Sequence, residues 1–264
     1  MSDKLTIIGG DGRFLSVKSF FEKKGFKVNS VFLEKESGKA VYDTVILPVP
    51  VMRNGFLNSP LTDEKVSEKR LAGLLPENST VFGGIIPQSF EEICREKNIK
   101  LIDYFSDETL LDKNAVLTAR AIPSVLEENG VSVSNGRIFI LGYGRCGKAI
   151  ADVLSSAGGN VTVVSSKGKA GEYRLVHFED LKGRINEASL VVNTVPSAVL
   201  TENELVNLNR NAVITEIASA PYGIDFEAAK RLDIKVIKAP SLPGRFFPEE
   251  AGEVIAETIL KEMN

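Results

Sequence analysis

Histidine, cysteine and long apolar runs are what this 264-residue sequence has least of. Its one histidine, His177, lies in the strand-like stretch Leu175-Val-His-Phe-Glu-Asp180. A surface or edge-strand histidine is expected there, so acid–base chemistry through histidine is not, and the catalytic group stays unassigned. The two cysteines, Cys94 and Cys146, are too few and too isolated for a disulfide framework or a thiolate metal site; no metal is expected. No apolar run approaches the roughly 18 residues of a membrane-spanning helix, so no membrane is expected as a partner. The opening MSDKLTIIGGDGR meets glycine and charge directly after Leu5-Thr-Ile-Ile8 and does not read as a signal peptide; a reducing cytoplasm is the expectation. The net charge of −3 leaves no basic field for nucleic acid. What remains, 43% apolar and 25% charged residues, is an ordinary globular balance in a chain long enough for one large domain or two ordinary ones.

The strongest signal is residues 138–147, IFILGYGRCG. A short apolar run, Ile138 to Leu141, enters Gly142-x-Gly144-x-x-Gly147, and a small-residue helix follows from Lys148. Strand, tight turn and helix start are the context in which this pattern means dinucleotide binding. Gly142 permits the turn, Gly144 lets backbone approach a pyrophosphate, and Gly147 lets helix pack on strand. The helix N-terminus adds free N–H groups and a positive dipole end. A second strand, Asn160-Val-Thr-Val-Val164, ends where an acid would hold the ribose 2′-hydroxyl of NAD. Ser165, Ser166, Lys167, Gly168 and Lys169 stand there instead, and Glu172 lies too far along to substitute. Hydroxyls and ammonium groups suit a 2′-phosphate, so NADP is the expected cofactor; the same residues also make an ordinary polar turn. The turn Asn193-Thr194-Val195-Pro196-Ser197 follows a later strand and is expected beside the nicotinamide half. Expected cofactor contacts are therefore Gly142, Gly144, Arg145, Cys146, Gly147, Ser165, Ser166, Lys167, Thr194, Val195 and Pro196.

Strands alternate with helices along the chain, which predicts parallel sheets covered on both faces. The expected fold is α/β: two Rossmann-like, doubly wound parallel-sheet domains with a cleft between them. Residues 1–113 form a Rossmann-like or flavodoxin-like substrate domain. Residues 114–135 are a crossing helix, interrupted near Pro123, with its linker. Residues 136–248 form the NADP-binding domain, and 249–264 a helix that packs back on the first domain. No internal repeat or low-complexity tract appears. Asp11 and Arg13 follow the first strand, Leu5–Ile8, and Arg245 follows the strand Lys235–Ile237. An arginine from each wall of the cleft points to an anionic substrate, although for either one alone a structural ion pair is the commoner use.

Six motifs run in order through the chain: Ile8-Gly-Gly-Asp-Gly-Arg13, Ile46-Leu-Pro-Val-Pro50, Leu141-Gly-Tyr-Gly-Arg-Cys-Gly147, Asn193-Thr-Val-Pro-Ser197, Ile217-Ala-Ser-Ala-Pro-Tyr-Gly-Ile-Asp-Phe226, and Ala239-Pro-Ser-Leu-Pro-Gly244 with Phe247-Pro248 and Ala251-Gly252. In these the chain resembles the dipicolinate synthase A-subunit family. The resemblance implies an NADP-linked oxidation of dihydrodipicolinate, or its hydrated precursor, to dipicolinate for the bacterial spore, near the lysine/diaminopimelate branch. It implies that the partner is a flavoprotein-like second polypeptide, the dipicolinate synthase B-subunit, and that the substrate is a dicarboxylate; a homo-oligomer is expected. The chain departs from the family at Asn114-Ala-Val-Leu-Thr-Ala-Arg-Ala-Ile122. There Leu117 replaces a proline, and Arg120 stands where the family has a glutamate. Arg120 either changes activity or substrate, or adds a third substrate arginine. Two alternatives stay open: another NAD(P)-dependent dehydrogenase acting on a small 2-hydroxy or amino acid, and a non-catalytic nucleotide-binding subunit.

Overall fold

The computed structural model describes residues 3–33, 41–168 and 170–263. They fall into two compact units, one of residues up to 114 together with those from 244 onward, the other of residues 115–243. Lys169, one of the residues expected to favour NADP, lies outside the described residues.

The first unit is a parallel α/β sheet. Its elements are β1 (Lys4–Ile8), α1 (Gly12–Lys23), β2 (Lys27–Val31), β3 (Thr44–Ile46), the small hairpin β4 (Met52–Arg53) and β5 (Phe56–Leu57), α2 (Glu68–Leu74), β6 (Thr80–Gly83), α3 (Gln88–Glu96) and β7 (Lys100–Asp103). The five sheet strands lie in the order β2-β1-β3-β6-β7, all parallel. Both faces are covered, which is why the strands read as apolar runs rather than alternating ones. Leu5, Ile7, Ile46 and Phe82 face Phe14, Val17 and Phe21 of α1; Ile8, Val45, Leu47 and Val81 face Leu71, Phe90 and Cys94 of α2 and α3. Burial pushes the Cys94 thiol up to about 11, so it stays protonated and inert.

A long helix, α4 (Glu108–Glu128), starts six residues before the expected Asn114 and runs through Pro123 without ending. Asp107 explains the early start: its carboxylate accepts the Leu110 N–H at 2.9 Å, an N-cap the sequence pattern did not suggest. Pro123 removes one helical hydrogen bond, but Ile122, Val125 and Leu126 around it are fully buried, and their packing keeps the helix continuous.

The second unit holds β8 (Arg137–Leu141), α5 (Arg145–Ser156), β9 (Asn160–Val164), β10 (Arg174–Val176), α6 (Leu181–Arg184), β11 (Leu190–Asn193), α7 (Glu202–Leu205), β12 (Val213–Glu216), α8 (Phe226–Arg231) and β13 (Lys235–Lys238). Its six parallel strands are ordered β10-β9-β8-β11-β12-β13. Numbered within the unit this is 3-2-1-4-5-6, the strand order of dinucleotide-binding sheets, with the reversal between β8 and β11. Phe139, Leu141, Val191 and Ile214 pack against Leu205 and Ala228 on one face.

Two further helices, α9 (Leu242–Phe246) and α10 (Pro248–Met263), close the chain. In the first unit α10 lies against α1, burying Ile255, Ala256 and Ile259 beside Phe14 and Phe21. Gly252 sets how close the two helices come. A Cβ there would fall on the Arg13 carbonyl oxygen and within 2.7 Å of the Ser16 Cβ. Alanine normally stabilises a helix interior by about 1 kcal/mol over glycine. Here the sign is expected to invert: Gly252→Ala should lower stability by about 1–3 kcal/mol, as overpacking does. Urea unfolding with an unchanged slope checks it; a raised midpoint would show that the helices are not held this closely.

Candidate functional site

The glycine loop joins β8 to α5 in the second unit. Gly142 has φ +92°, a value that glycine adopts without strain, and a Cβ there would lie 2.5 Å from the Thr194 Oγ1. A Cβ on Gly147 would collide with the Gly142 carbonyl oxygen, so only glycine lets α5 begin this close to β8. Gly144 differs from both: a Cβ there meets no atom within 4 Å. It is the N-cap of α5 and offers no side-chain cap, so the first-turn N–H groups of this helix have no side-chain acceptor from it. A loop with open space over its middle glycine, at a helix N-terminus and beside the strand-order reversal, fits the pyrophosphate of a dinucleotide.

Around this loop the sequence-predicted residues take different places. Arg145, the first residue of α5, is exposed, and Cys146 is half-buried, burial pushing its thiol up against the opposing charge of Arg145. Ser165 is buried at the end of β9, and its Oγ accepts the Lys167 N–H at 3.2 Å, which shapes the turn. Ser166 and Lys167 are exposed, and no carboxylate occupies the turn at residues 165–168. Thr194 donates its hydroxyl to the Leu141 carbonyl at 2.8 Å; its side chain therefore ties the β11 loop to the end of β8. Val195 is half-buried and Pro196 exposed.

Two walls of this site are made by side-chain contacts that the sequence spacing does not show, although the turn from Asn193 was expected here. Tyr143, between the first two glycines, has its hydroxyl 2.7 Å from where a Gly171 Cβ would be. Lys148 sits over its ring at 5.5 Å from the centroid. Gly171 thus lies against the glycine loop, and Tyr173 donates to Asp152 at 2.6 Å beside it. Burial, then the charges of Asp152 and Glu172, raise the Tyr143 phenol.

The second wall is the pair Asn193 and Glu216, which end β11 and β12 and stand opposite each other in the sheet. Both are buried, at 0% and 1% exposure. The Asn193 Nδ2 donates to Glu216 Oε1 and Oε2 at 3.0 and 2.9 Å and to the Val195 carbonyl at 3.0 Å. Its Oδ1 accepts the Val195 N–H at 3.1 Å. Glu216 also accepts the N–H groups of Ala218 and Gly223, at 2.9 and 3.1 Å. Burial raises the Glu216 carboxyl above its usual range, while Asn193, Gly223 and Ala218 oppose the shift.

In the first unit the loops at the carboxyl ends of β1 and β3 meet at a buried arginine. Arg13 is 7% exposed. Its Nε donates to Asp11 Oδ1 at 2.9 Å, and its Nη2 donates to Asp11 Oδ2 at 2.8 Å and to the Val49 carbonyl at 2.9 Å. Asp11 is also the N-cap of α1, accepting the Arg13 N–H at 3.1 Å. The edge of the guanidinium that a carboxylate ligand would grip is therefore already held by Asp11. Asn58 and Ser59 are buried nearby, with the Asn58 Nδ2 3.4 Å from the same Val49 carbonyl. Gly244 covers the pair: a Cβ there would stand 3.0 Å from Arg13 Nε. Arg245, next in the chain, is exposed with its guanidinium 4.7 Å from the Phe246 ring centroid. Arg120 is an exposed residue of α4, and His177 is exposed just after the edge strand β10.

Residues 4–105 match the family described as the N-terminal domain of the dipicolinate synthase A-subunit. Residues 107–220 match the NAD binding domain of the D-isomer specific 2-hydroxyacid dehydrogenases. The dipicolinate synthase A-subunit of Bacillus subtilis (strain 168) is 27% identical, with 98% of this chain and 95% of that protein covered. The chain resembles the dipicolinate synthase A-subunit family. The crystal structure of the corresponding protein from Bacillus halodurans has the same fold, with a TM-score of 0.86 at 21% identity over 99% of this chain and 98% of that one. A D-isomer specific 2-hydroxyacid dehydrogenase from Lactobacillus delbrueckii ssp. bulgaricus, solved with NAD, superposes at a TM-score of 0.58 with 12% identity, covering 98% and 95% of the two chains. The second unit is thus similar to the dehydrogenase domains that bind a nicotinamide dinucleotide.

Gly144 gives the most direct test of that site. Its open space means that Gly144→Val should fold with an unchanged melting temperature and far-UV spectrum, yet lose cofactor affinity by at least a hundredfold, because the side chain takes the pyrophosphate's place. Retained affinity in calorimetric titration would show that the loop has a purely structural role.

Proposed function

We propose that the chain is an NADP-linked dehydrogenase, the A-subunit of a dipicolinate synthase. It would oxidise dihydrodipicolinate, or its hydrated precursor, to dipicolinate. The observation behind this reading is the pairing in one chain of a dipicolinate synthase N-terminal domain with a unit whose glycine loop fits a dinucleotide. The oxidation removes one hydride and one proton from the ring of the substrate, and aromatisation supplies much of its driving force. When bound, the nicotinamide supplies the hydride acceptor. Gly142, Gly144, Gly147 and the first turn of α5, including Arg145 and Cys146, hold the pyrophosphate; Val195 and Pro196 border the nicotinamide half.

The absence of an acid in the turn after β9 supports NADP. Ser166 and Lys167 are exposed there, and Ser165 fixes the turn that presents them. NADP(H) is expected to bind tighter than NAD(H), with the contrast shrinking as salt rises. Calorimetry with both pairs checks this, and equal or tighter NAD(H) binding removes the NADP assignment.

For the substrate, Arg245 is the carboxylate clamp, since it is exposed beside the covered Asp11–Arg13 pair. Arg13 and Asp11 support it by holding the loops, and Arg120 is a further cation for a dicarboxylate. The flavoprotein-like B-subunit is the expected partner, in the bacterial cytoplasm during spore formation, with further copies of this chain in the assembly. The exposed position of the lone His177 on the edge of the sheet disfavours a histidine-based 2-hydroxyacid dehydrogenase. The deciding experiment is an assay of dipicolinate and reduced cofactor formed from dihydrodipicolinate, with and without the B-subunit; cofactor binding without turnover in both arms rejects the catalytic reading. In the same assay Arg245→Ala should raise KM roughly ten- to hundredfold. Arg13→Ala should instead cost about 1–3 kcal/mol of stability, because it removes the guanidinium's bonds to Asp11 and to the Val49 carbonyl.

A further inference from the structure

Glu216 is a carboxylate that neither the glycine loop nor the substrate arginines require, yet it is among the most buried polar groups of the second unit. Its hydrogen bonds come from three neutral donors, the Asn193 side chain and the backbone N–H groups of Ala218 and Gly223. A proton on this carboxyl would find no acceptor among them, so these hydrogen bonds favour the ionised form and oppose the burial that raises the carboxyl. Lys238 stands opposite Glu216 on β13, but its ammonium lies over the Phe226 ring, 3.7 Å from the centroid. Gly223 has no room for a side chain: a Cβ there would strike Asn193 Nδ2 and the Val195 carbonyl. The loops after β11 and β12 are thus locked together around one charge.

In a sheet of this strand order the first three strands serve the adenosine half of a dinucleotide and the other three the nicotinamide half. Glu216 and Asn193 end the first two strands of that second half. An oxidised nicotinamide ring carries a positive charge and a reduced one does not.

We propose that Glu216 is a positioning residue that fixes the Thr194–Pro196 loop through Asn193 and, by its buried negative charge, makes the unit hold the oxidised nicotinamide in preference to the reduced one. The proposal rests on the dinucleotide reading of this unit. A charge preference of this kind makes the bound cofactor a weaker hydride acceptor, because the positive charge it stabilises is lost on transfer, and it favours release of the reduced cofactor afterwards.

The test compares dissociation constants of NADP+ and NADPH, and in parallel of NAD+ and NADH, for the full chain and for Glu216→Gln. Calorimetry reads the oxidised forms and nicotinamide fluorescence the reduced ones. For a buried charge at short range the variant is expected to weaken the oxidised form roughly tenfold relative to the reduced one. The unmodified chain is expected to bind the oxidised form tighter, and to keep that preference at high salt because a buried charge is little screened. A ratio unchanged by Glu216→Gln overturns the charge role, as does equal weakening of both forms. If the variant does not fold, tighter binding of the reduced form by the unmodified chain overturns it alone. Absence of binding by every cofactor form overturns the dinucleotide reading together with this one.

Discussion

A buried guanidinium must have its donors satisfied, and in the first unit that demand falls on Arg13. The side chain lies under Gly244 with the Asp11 carboxylate along one edge and the Val49 carbonyl beside it. Through these contacts one residue joins the end of β1, the start of α1, the loop after β3 and the segment leading into α10. The close approach of α10 at Gly252, directly over the Arg13 carbonyl, extends the same constraint to the helix pair. Removing Asp11 would leave the buried Arg13 guanidinium without its carboxylate, a larger cost than losing an exposed contact.

The second unit meets the same problem with an acid. Asn193 and Glu216 consume the polar groups at the ends of β11 and β12 as Arg13 and Asp11 do those after β1. In both units the loops at the carboxyl ends of parallel strands would otherwise be free, since a parallel sheet offers them no hairpin partner. A side chain that bonds a neighbouring loop's backbone converts such a loop into a fixed wall. Thr194, donating to the Leu141 carbonyl, does this on a smaller scale.

The glycine loop was legible because its function is local: three glycines at fixed spacing, a strand before and a helix after, determine its backbone with little help from elsewhere. The alternation of strands and helices revealed both sheets for the same reason. Partners distant in sequence were not legible. Nothing near Arg13 announces that its guanidinium also bonds a carbonyl 36 positions away. Ser165 and Thr194 look like hydroxyls for a ligand until their backbone partners are seen. The pairing of Asn193 with Glu216 appears only once β11 and β12 are in register. The start of α4 at Glu108 was hidden too, because its cap, Asp107, precedes a stretch without apolar periodicity.

The margins of the second sheet bear on how copies of the chain can meet. β10 is only three residues long, and its Arg174 is bound to Glu187 at 2.8 Å. The opposite margin, β13, begins and ends with lysine. Short length and cationic ends are the features by which proteins discourage strand addition from a neighbour. Continuation of this sheet into that of a second molecule is therefore an unfavourable route, for ordered assembly and for aggregation alike.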